Sequence, residues 1–250
     1  MSTPWLQRSF VRRPVGTAFA VTIVFFLMSG GLRSLFSVLL PDGPHEAQIA
    51  AGLQQSLTAI LALVLMWQTR WLRRCRVISR PRRLRSVWPL VILPSALVPV
   101  FGLGQVDWSK SSQVATSTFD FVSTGLVEEL VFRGIVLTGL LIGLAPRPRA
   151  TFESVLLSSV LFGLPHLHPL IVIFAAVFGL AFAHLTIATN TIWPAVAVHV
   201  AFDLLTDLPD STTESPNNWY VPVALLFVLA GGIVSVVRSK RDASEFTLGG

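Results

Sequence analysis

The chain has 250 residues, 52% of them hydrophobic and 13% charged, with a formal net charge of +6. A soluble domain carries about 25% charged residues, so this composition excludes an ordinary soluble fold and points to a membrane protein. The basic excess does not indicate a nucleic-acid partner, because it alternates from loop to loop in the manner of membrane topology.

A helix crosses the hydrocarbon with about 20 apolar residues. On that measure the sequence predicts an all-α, polytopic membrane protein of about eight transmembrane helices. The expected spans are 15–34, 49–69, 86–104, 117–143, 152–168, 169–188, 191–206 and 219–237. They divide into N-terminal helices with an Arg-rich loop (1–110), a helical core (111–210), and a last helix with a basic tail (211–250).

Arg8, Arg12 and Arg13 precede the first span. That span is long enough to cross and lacks a clear small-x-small cleavage site, so it is expected to stay as an anchor. Arg33, near its end, is expected to snorkel to the interface. After the second span come Arg70, Arg73, Arg74, Arg76, Arg80, Arg82, Arg83 and Arg85. Arg147 and Arg149 follow the fourth span, and Arg238, Lys240 and Arg241 the eighth. The alternate loops hold Asp42, Glu46, Asp107, Asp207, Asp210 and Glu214, with Lys110. This asymmetry predicts a multi-pass protein of the cell membrane with both termini in the cytoplasm. Trp67, Trp71, Trp88, Trp108, Trp193 and Trp219 fall near span ends, as interfacial anchors do. Cys75 stands alone, so no internal disulfide forms.

Chemistry concentrates in spans four to seven. The fourth carries Glu128, Glu129 and Arg133 in an otherwise apolar run, where each charge costs roughly 2.5–3.5 kcal/mol even on lenient insertion scales. Glu129 and Arg133, four apart, share a helix face and are expected to pair. Glu128 points elsewhere and is left to titrate. In the fifth span Phe162 and His166 share a face, and Pro165 distorts the helix just before the histidine. In the seventh, His199 and Asp203 project together at i and i+4. Intramembrane polar groups face a common interior, so the three spans are expected to converge on one cavity.

A carboxylate beside an imidazole can hold and deprotonate water, and donors on a facing helix can stabilise an oxyanion. That is equipment for amide hydrolysis. Glu128, His166, His199 and Asp203 are also competent zinc ligands. His168 reads as interfacial, His184 as a helix–helix contact, and Asp120 and Glu153 as carboxylates near span ends. Ser158 and Ser159 read as close-packing residues, since no base spacing supports a serine nucleophile.

Taken together, Glu128-Glu129-x-x-x-Arg133, Phe162-x-x-x-His166 and His199-x-x-x-Asp203 resemble the three-motif signature of the CPBP family. That family is named for CAAX proteases and bacteriocin-processing enzymes and is also called Abi. Its best-known branch is the type II CAAX prenyl endopeptidases. The resemblance covers about residues 117–206 and implies a multi-span protease with an intramembrane catalytic cavity. It implies that Glu128 and His166 activate water, that His199 and Asp203 bind the oxyanion, and that Glu129 and Arg133 support them. The last motif position is Asn or Asp in the family. An ionised Asp203 cannot donate a hydrogen bond, so it is expected to be protonated, to orient His199, or to bind a metal. The family is described both as metalloproteases and as metal-free glutamate-dependent enzymes, and the second description is narrowly favoured. No cofactor is therefore firmly expected, with zinc as the alternative.

The expected partners are the bilayer and a membrane-anchored or lipid-modified, CAAX-like peptide. A proton-coupled transporter is the main alternative, although the chain lacks the paired halves many transporters show. A catalytically idle immunity or scaffold protein of the same fold is the other.

Overall fold

The computed structural model describes residues 5–40, 43–79 and 107–207. Every regular element among them is helical. Helix α1 (Trp5–Arg12) buries Leu6 and Phe10 and leaves Arg8 and Arg12 exposed. Pro14 then opens α2 (Pro14–Leu39), its fixed φ suiting the first helical position. Helix α3 (Pro44–Gln68) begins the same way. At 1.5 Å per residue, α2 is about 39 Å long, more than the ~30 Å hydrocarbon core.

After Gln68 the chain tightens into a turn-rich segment, with Arg70 and Arg76 at left-handed φ values of 57° and 59°. This part of the Arg-rich loop is docked against the helices. Trp71 and Cys75 are fully buried, and Trp71 stacks on Phe10 with ring centroids 5.6 Å apart. Trp71 therefore departs from its expected place as an interfacial anchor: α1 covers it. Arg76 is buried too, and donates from Nη1 to the Thr186 carbonyl at 3.2 Å. Burial lowers its pKa to about 10, while burial pushes the Cys75 thiol well above the usual range. Trp193 closes the dock by donating from its indole to the Val77 carbonyl at 2.9 Å.

The expected span 117–143 is three consecutive helical pieces. Helix α4 (Ser111–Glu129) passes into a π-helical segment (Leu130–Leu137), which passes into α5 (Thr138–Leu144). Helix α6 (Ala150–Gly163) stops where Pro165 removes a donor, and a 3-10 turn (Leu164–His166) follows. Leu167 turns the chain at φ 60°, and α7 (Pro169–Thr189) runs to Asn190 at φ 56°, a residue suited to that left-handed cap. Helix α8 (Trp193–Asp207) completes the described core.

Three of the expected spans are long and apolar enough to cross a membrane by length and composition: α2, the Glu46–Gln68 part of α3, and α7. The expected 152–168 is divided after Gly163, and the expected 191–206 is a shorter apolar helix. The expected spans 86–104 and 219–237 lie outside the described residues.

Close approach between helices has sequence causes. A Cβ on Gly125 would lie 2.7 Å from the Val200 Cγ2 and 3.7 Å from the His199 ring, so the missing side chain lets α8 press against α4. On the far side, a Cβ on Gly179 would lie 2.9 Å from Ser159, which gives Ser159 the close-packing role expected of it; Ser158 is buried as well.

Candidate functional site

The α4–α8 contact brings His199 onto the two glutamates. Its Nδ1 lies 3.1 Å from Glu129 Oε1, a buried hydrogen bond between residues 70 apart in sequence. Its Nε2 lies 3.8 Å from Glu128 Oε2 and 3.6 Å from Asp203 Oδ2. One imidazole thus gathers three carboxylates: one holds the ring by hydrogen bonding, and the other two stand at ion-pair distance from the opposite nitrogen.

Glu129 and Arg133 pair, as their spacing predicts, with Arg133 Nε 3.1 Å from Glu129 Oε2. The two atoms are not aligned as a hydrogen bond, so the attraction is Coulombic. Both side chains are sealed, at 0% and 1% exposure. Arg133 also donates from Nη2 to the Gly179 carbonyl at 3.4 Å. Its guanidinium lies 4.3 Å above the Phe162 ring and 5.2 Å from that of Phe182. These aromatic faces supply a desolvated cation–π contact. The i to i+4 spacing pairs Glu129 with Arg133, and the family resemblance makes both of them supporting residues without naming what Glu129 touches. The structure makes Glu129 the bridge between Arg133 and His199, a role that depends on a helix distant in sequence.

Phe162 is the hinge of the arrangement. Its ring meets His166 and His199 edge-on, both at 5.7 Å, and Phe132 at 5.3 Å. His199 also stacks on Phe182 at 5.2 Å. The Phe162–His166 pair therefore stays on one face even though α6 has become a 3-10 turn. His166 Nδ1 lies 3.2 Å from the Gly163 carbonyl, which fixes the ring on its turn.

Two cavities meet at Phe162 and His166. One, of about 350 Å³, is bounded by His166, His199, Asp203 and the aromatic side chains of α7 and α8. The other, of about 490 Å³, contains Glu128 and His166 with Ser29, Arg33, Gln54 and Gln55. The last four were not among the expected site residues. Adjacent glutamines within an apolar span are the signal that marks Gln54 and Gln55, and Gln54 is buried with its amide donating to Gln55 Oε1 at 3.0 Å. Arg33, expected to snorkel, is exposed on the rim of this cavity.

The other polar residues fall elsewhere. His168 is exposed at the start of α7, and His184 is buried within it. Asp120 accepts from the Thr124 hydroxyl at 3.3 Å, and Glu153 pairs with Arg147 at 2.9 Å. Among the described residues, no three His, Cys, Asp or Glu side chains are arranged to hold a metal ion. Of the candidate zinc ligands, His166, His199 and Asp203 line the smaller cavity and Glu128 and His166 the larger, and one nitrogen of His199 is engaged by Glu129.

Residues 110–205 match the family model described as type II CAAX prenyl endopeptidase Rce1-like. The matched segment contains all three motifs and supports the CAAX protease family that they resemble. No curated protein and no solved structure gives a significant match.

Proposed function

We propose that this protein is an intramembrane endopeptidase that hydrolyses a peptide bond in a membrane-anchored or lipid-modified, CAAX-like peptide. One observation carries the reading: His199 is clamped by Glu129 while its other nitrogen faces Glu128 and Asp203 beside the His166 cavities. The family match favours a protease over a transporter on the same residues.

In this mechanism Glu128, with His166 beside it in the larger cavity, takes a proton from water as the water oxygen attacks the carbonyl carbon. The carbonyl oxygen gains the negative charge. His199, protonated at both nitrogens, donates one N–H to Glu129 and directs the other toward that oxygen. Asp203 acts through His199, which removes the difficulty of an ionised carboxylate facing an oxyanion. The proton on Glu128 then passes to the leaving amine as the C–N bond breaks. Glu129 and Arg133 hold the imidazole in place and touch no substrate. No step is routed through a metal; Glu128, His166, His199 and Asp203 are the residues that would hold one, and it would then polarise the attacking water.

The substrate enters from the bilayer, no nucleic acid takes part, and both termini face the cytoplasm. The motif-bearing region, about 111–210, is the catalytic core, the N-terminal helices supply the far wall of the larger cavity, and residues 211–250 act as scaffold.

The test is cleavage of a reporter peptide by purified protein. Glu128→Gln and His166→Ala are expected to abolish cleavage while the protein still inserts and folds. Wild-type cleavage by Glu128→Gln would remove Glu128 as the base. Proton-coupled solute uptake into vesicles, lost with Glu128→Gln and with no cleavage, would replace the protease reading with a transporter.

A further inference from the structure

A third cavity, of about 600 Å³, lies between α1, α2, α3 and the π segment, away from the histidines. It runs along α2 from Gly16 to Met28, about 18 Å at 1.5 Å per residue and close to the depth of one leaflet. Its far end is walled by Phe25, Met28, Val131 and Ile135. Its polar groups, Ser9, Arg13 and Thr17, all lie at the α1–α2 junction. Val24 and Leu61, which line it, are 62% and 42% exposed, so the cavity opens sideways where lipid would stand.

We propose that this cavity binds one acyl chain of an anionic phospholipid, with Arg13 holding the headgroup phosphate. Charge decides the occupant. Arg13 has no acidic partner among the described residues, and the Ser9 hydroxyl is already spent on the Trp5 carbonyl at 3.1 Å. Arg8 and Arg12 are exposed on α1 just before it, so the mouth of the cavity is flanked by basic residues, and none of the residues that line the cavity is acidic. Basic residues at the membrane surface attract anionic headgroups, each contributing about fivefold in binding. Trp5, 55% exposed at the mouth, is an aromatic of the kind found at headgroup depth. A phospholipid matches both the apolar trough and the cation at its mouth.

The site is separate from the proposed catalytic cavity but shares a wall with it. Phe25 borders both, and its ring meets Phe132 edge-on at 5.8 Å. Val131 and Ile135 face the lipid cavity from the π segment that also carries Arg133. A seated acyl chain therefore packs against the segment whose Arg133 pairs with Glu129.

The experiment uses the full-length protein in phosphatidylcholine vesicles containing a tracer of phosphatidylglycerol with a diazirine on its acyl chain. Photolysis is expected to label residues lining the cavity, such as Ala20, Val24 and Leu61. Arg13→Glu should lower that labelling about tenfold or more, Arg13→Lys should retain it, and a phosphatidylcholine tracer should be insensitive to either change. Gly16→Leu should lower labelling by both tracers, because a Cβ there meets only the Arg13 Cβ, at 4.0 Å, and the rest of the leucine fills the trough. Unchanged labelling by the phosphatidylcholine tracer, with normal elution on size exclusion, shows that Arg13→Glu is folded. Equal labelling by the two tracers, unaffected by Arg13→Glu, would overturn the proposal in favour of ordinary surrounding lipid. Unlabelled cavity residues, with a photo-crosslinker at Val24 reacting instead with residues 86–104, would overturn it in favour of the chain's own segment.

Discussion

Glu129 is the residue at which stability and chemistry separate most cleanly. It is fully buried, with one oxygen 3.1 Å from Arg133 and the other 3.1 Å from His199. Glu129→Gln keeps the shape and an acceptor oxygen for His199 but removes the charge. Arg133 is then left buried with the Gly179 carbonyl and two aromatic faces as its partners. Breaking one side of a buried pair costs about 3–5 kcal/mol. At about 1.4 kcal/mol per decade, that is roughly two to three and a half powers of ten in the unfolding equilibrium, against a total stability of about 5–15 kcal/mol. Replacing both members removes both desolvation penalties, so Glu129→Gln with Arg133→Met should recover to within about 1–2 kcal/mol of wild type.

Activity should not follow stability. In the double variant the imidazole still lacks its charged acceptor, and a displacement of about 1 Å at a catalytic group costs about 10²-fold in rate. Denaturant titration in micelles measures the first quantity and reporter cleavage the second. Wild-type stability in the single variant would refute the pair as an electrostatic unit. Wild-type cleavage in the double variant would show that Glu129 does not govern His199.

Gly125→Val should separate α4 from α8, because even a Cβ there meets Val200 Cγ2 at 2.7 Å; overpacking of about 1–3 kcal/mol and a large loss of cleavage are expected, read by thermal unfolding and by reporter assay. Phe162→Ala removes the ring beneath Arg133 and between the two histidines, and should lower stability by about 3–5 kcal/mol in the same unfolding assay. Cys75 is buried with its thiol pushed above the usual range, so maleimide at neutral pH should leave it unlabelled until the protein is unfolded; rapid labelling of the native protein would show that the 69–79 segment is undocked. Reporter cleavage should persist after exhaustive chelation, with no stoichiometric metal by elemental analysis; loss on chelation and recovery with zinc would return Glu128, His166, His199 and Asp203 to a ligand set.

What the sequence made legible was local. Burial cost singled out Glu128, Glu129 and Arg133, and i to i+4 spacing anticipated the Glu129–Arg133 contact and the shared face of Phe162 and His166. Contacts between elements distant in sequence were not available to that reasoning. The Glu129–His199 hydrogen bond requires α8 to lie against α4, which Gly125 allows but no periodicity announces. The docking of Trp71 depends on α1, a helix of eight residues whose apolar positions are too few to stand out beside the spans. The π segment is hidden for a related reason: apart from Arg133 its residues are apolar or glycine, so hydropathy reads one uninterrupted span.

That segment has a consequence for how the site is built. A π turn widens the helix directly after Glu129 and sits most often at functional positions. Here Val131 and Ile135 are presented to the apolar cavity and Phe132 to Phe162, while Arg133 reaches the Gly179 carbonyl on α7. The charged pair is thereby enclosed by the aromatic rings of Phe162 and Phe182, the Gly179 carbonyl and His199. Glu129 and Arg133, which first appear as a liability in the bilayer, are sealed by packing, whereas Glu128, at 18% side-chain exposure, and Asp203, at 21%, keep access to a cavity. This division, with Glu129 and Arg133 enclosed and Glu128 open, is what the proposed hydrolytic mechanism needs. One carboxylate must stay fixed to position the imidazole, and another must be free to exchange a proton with water.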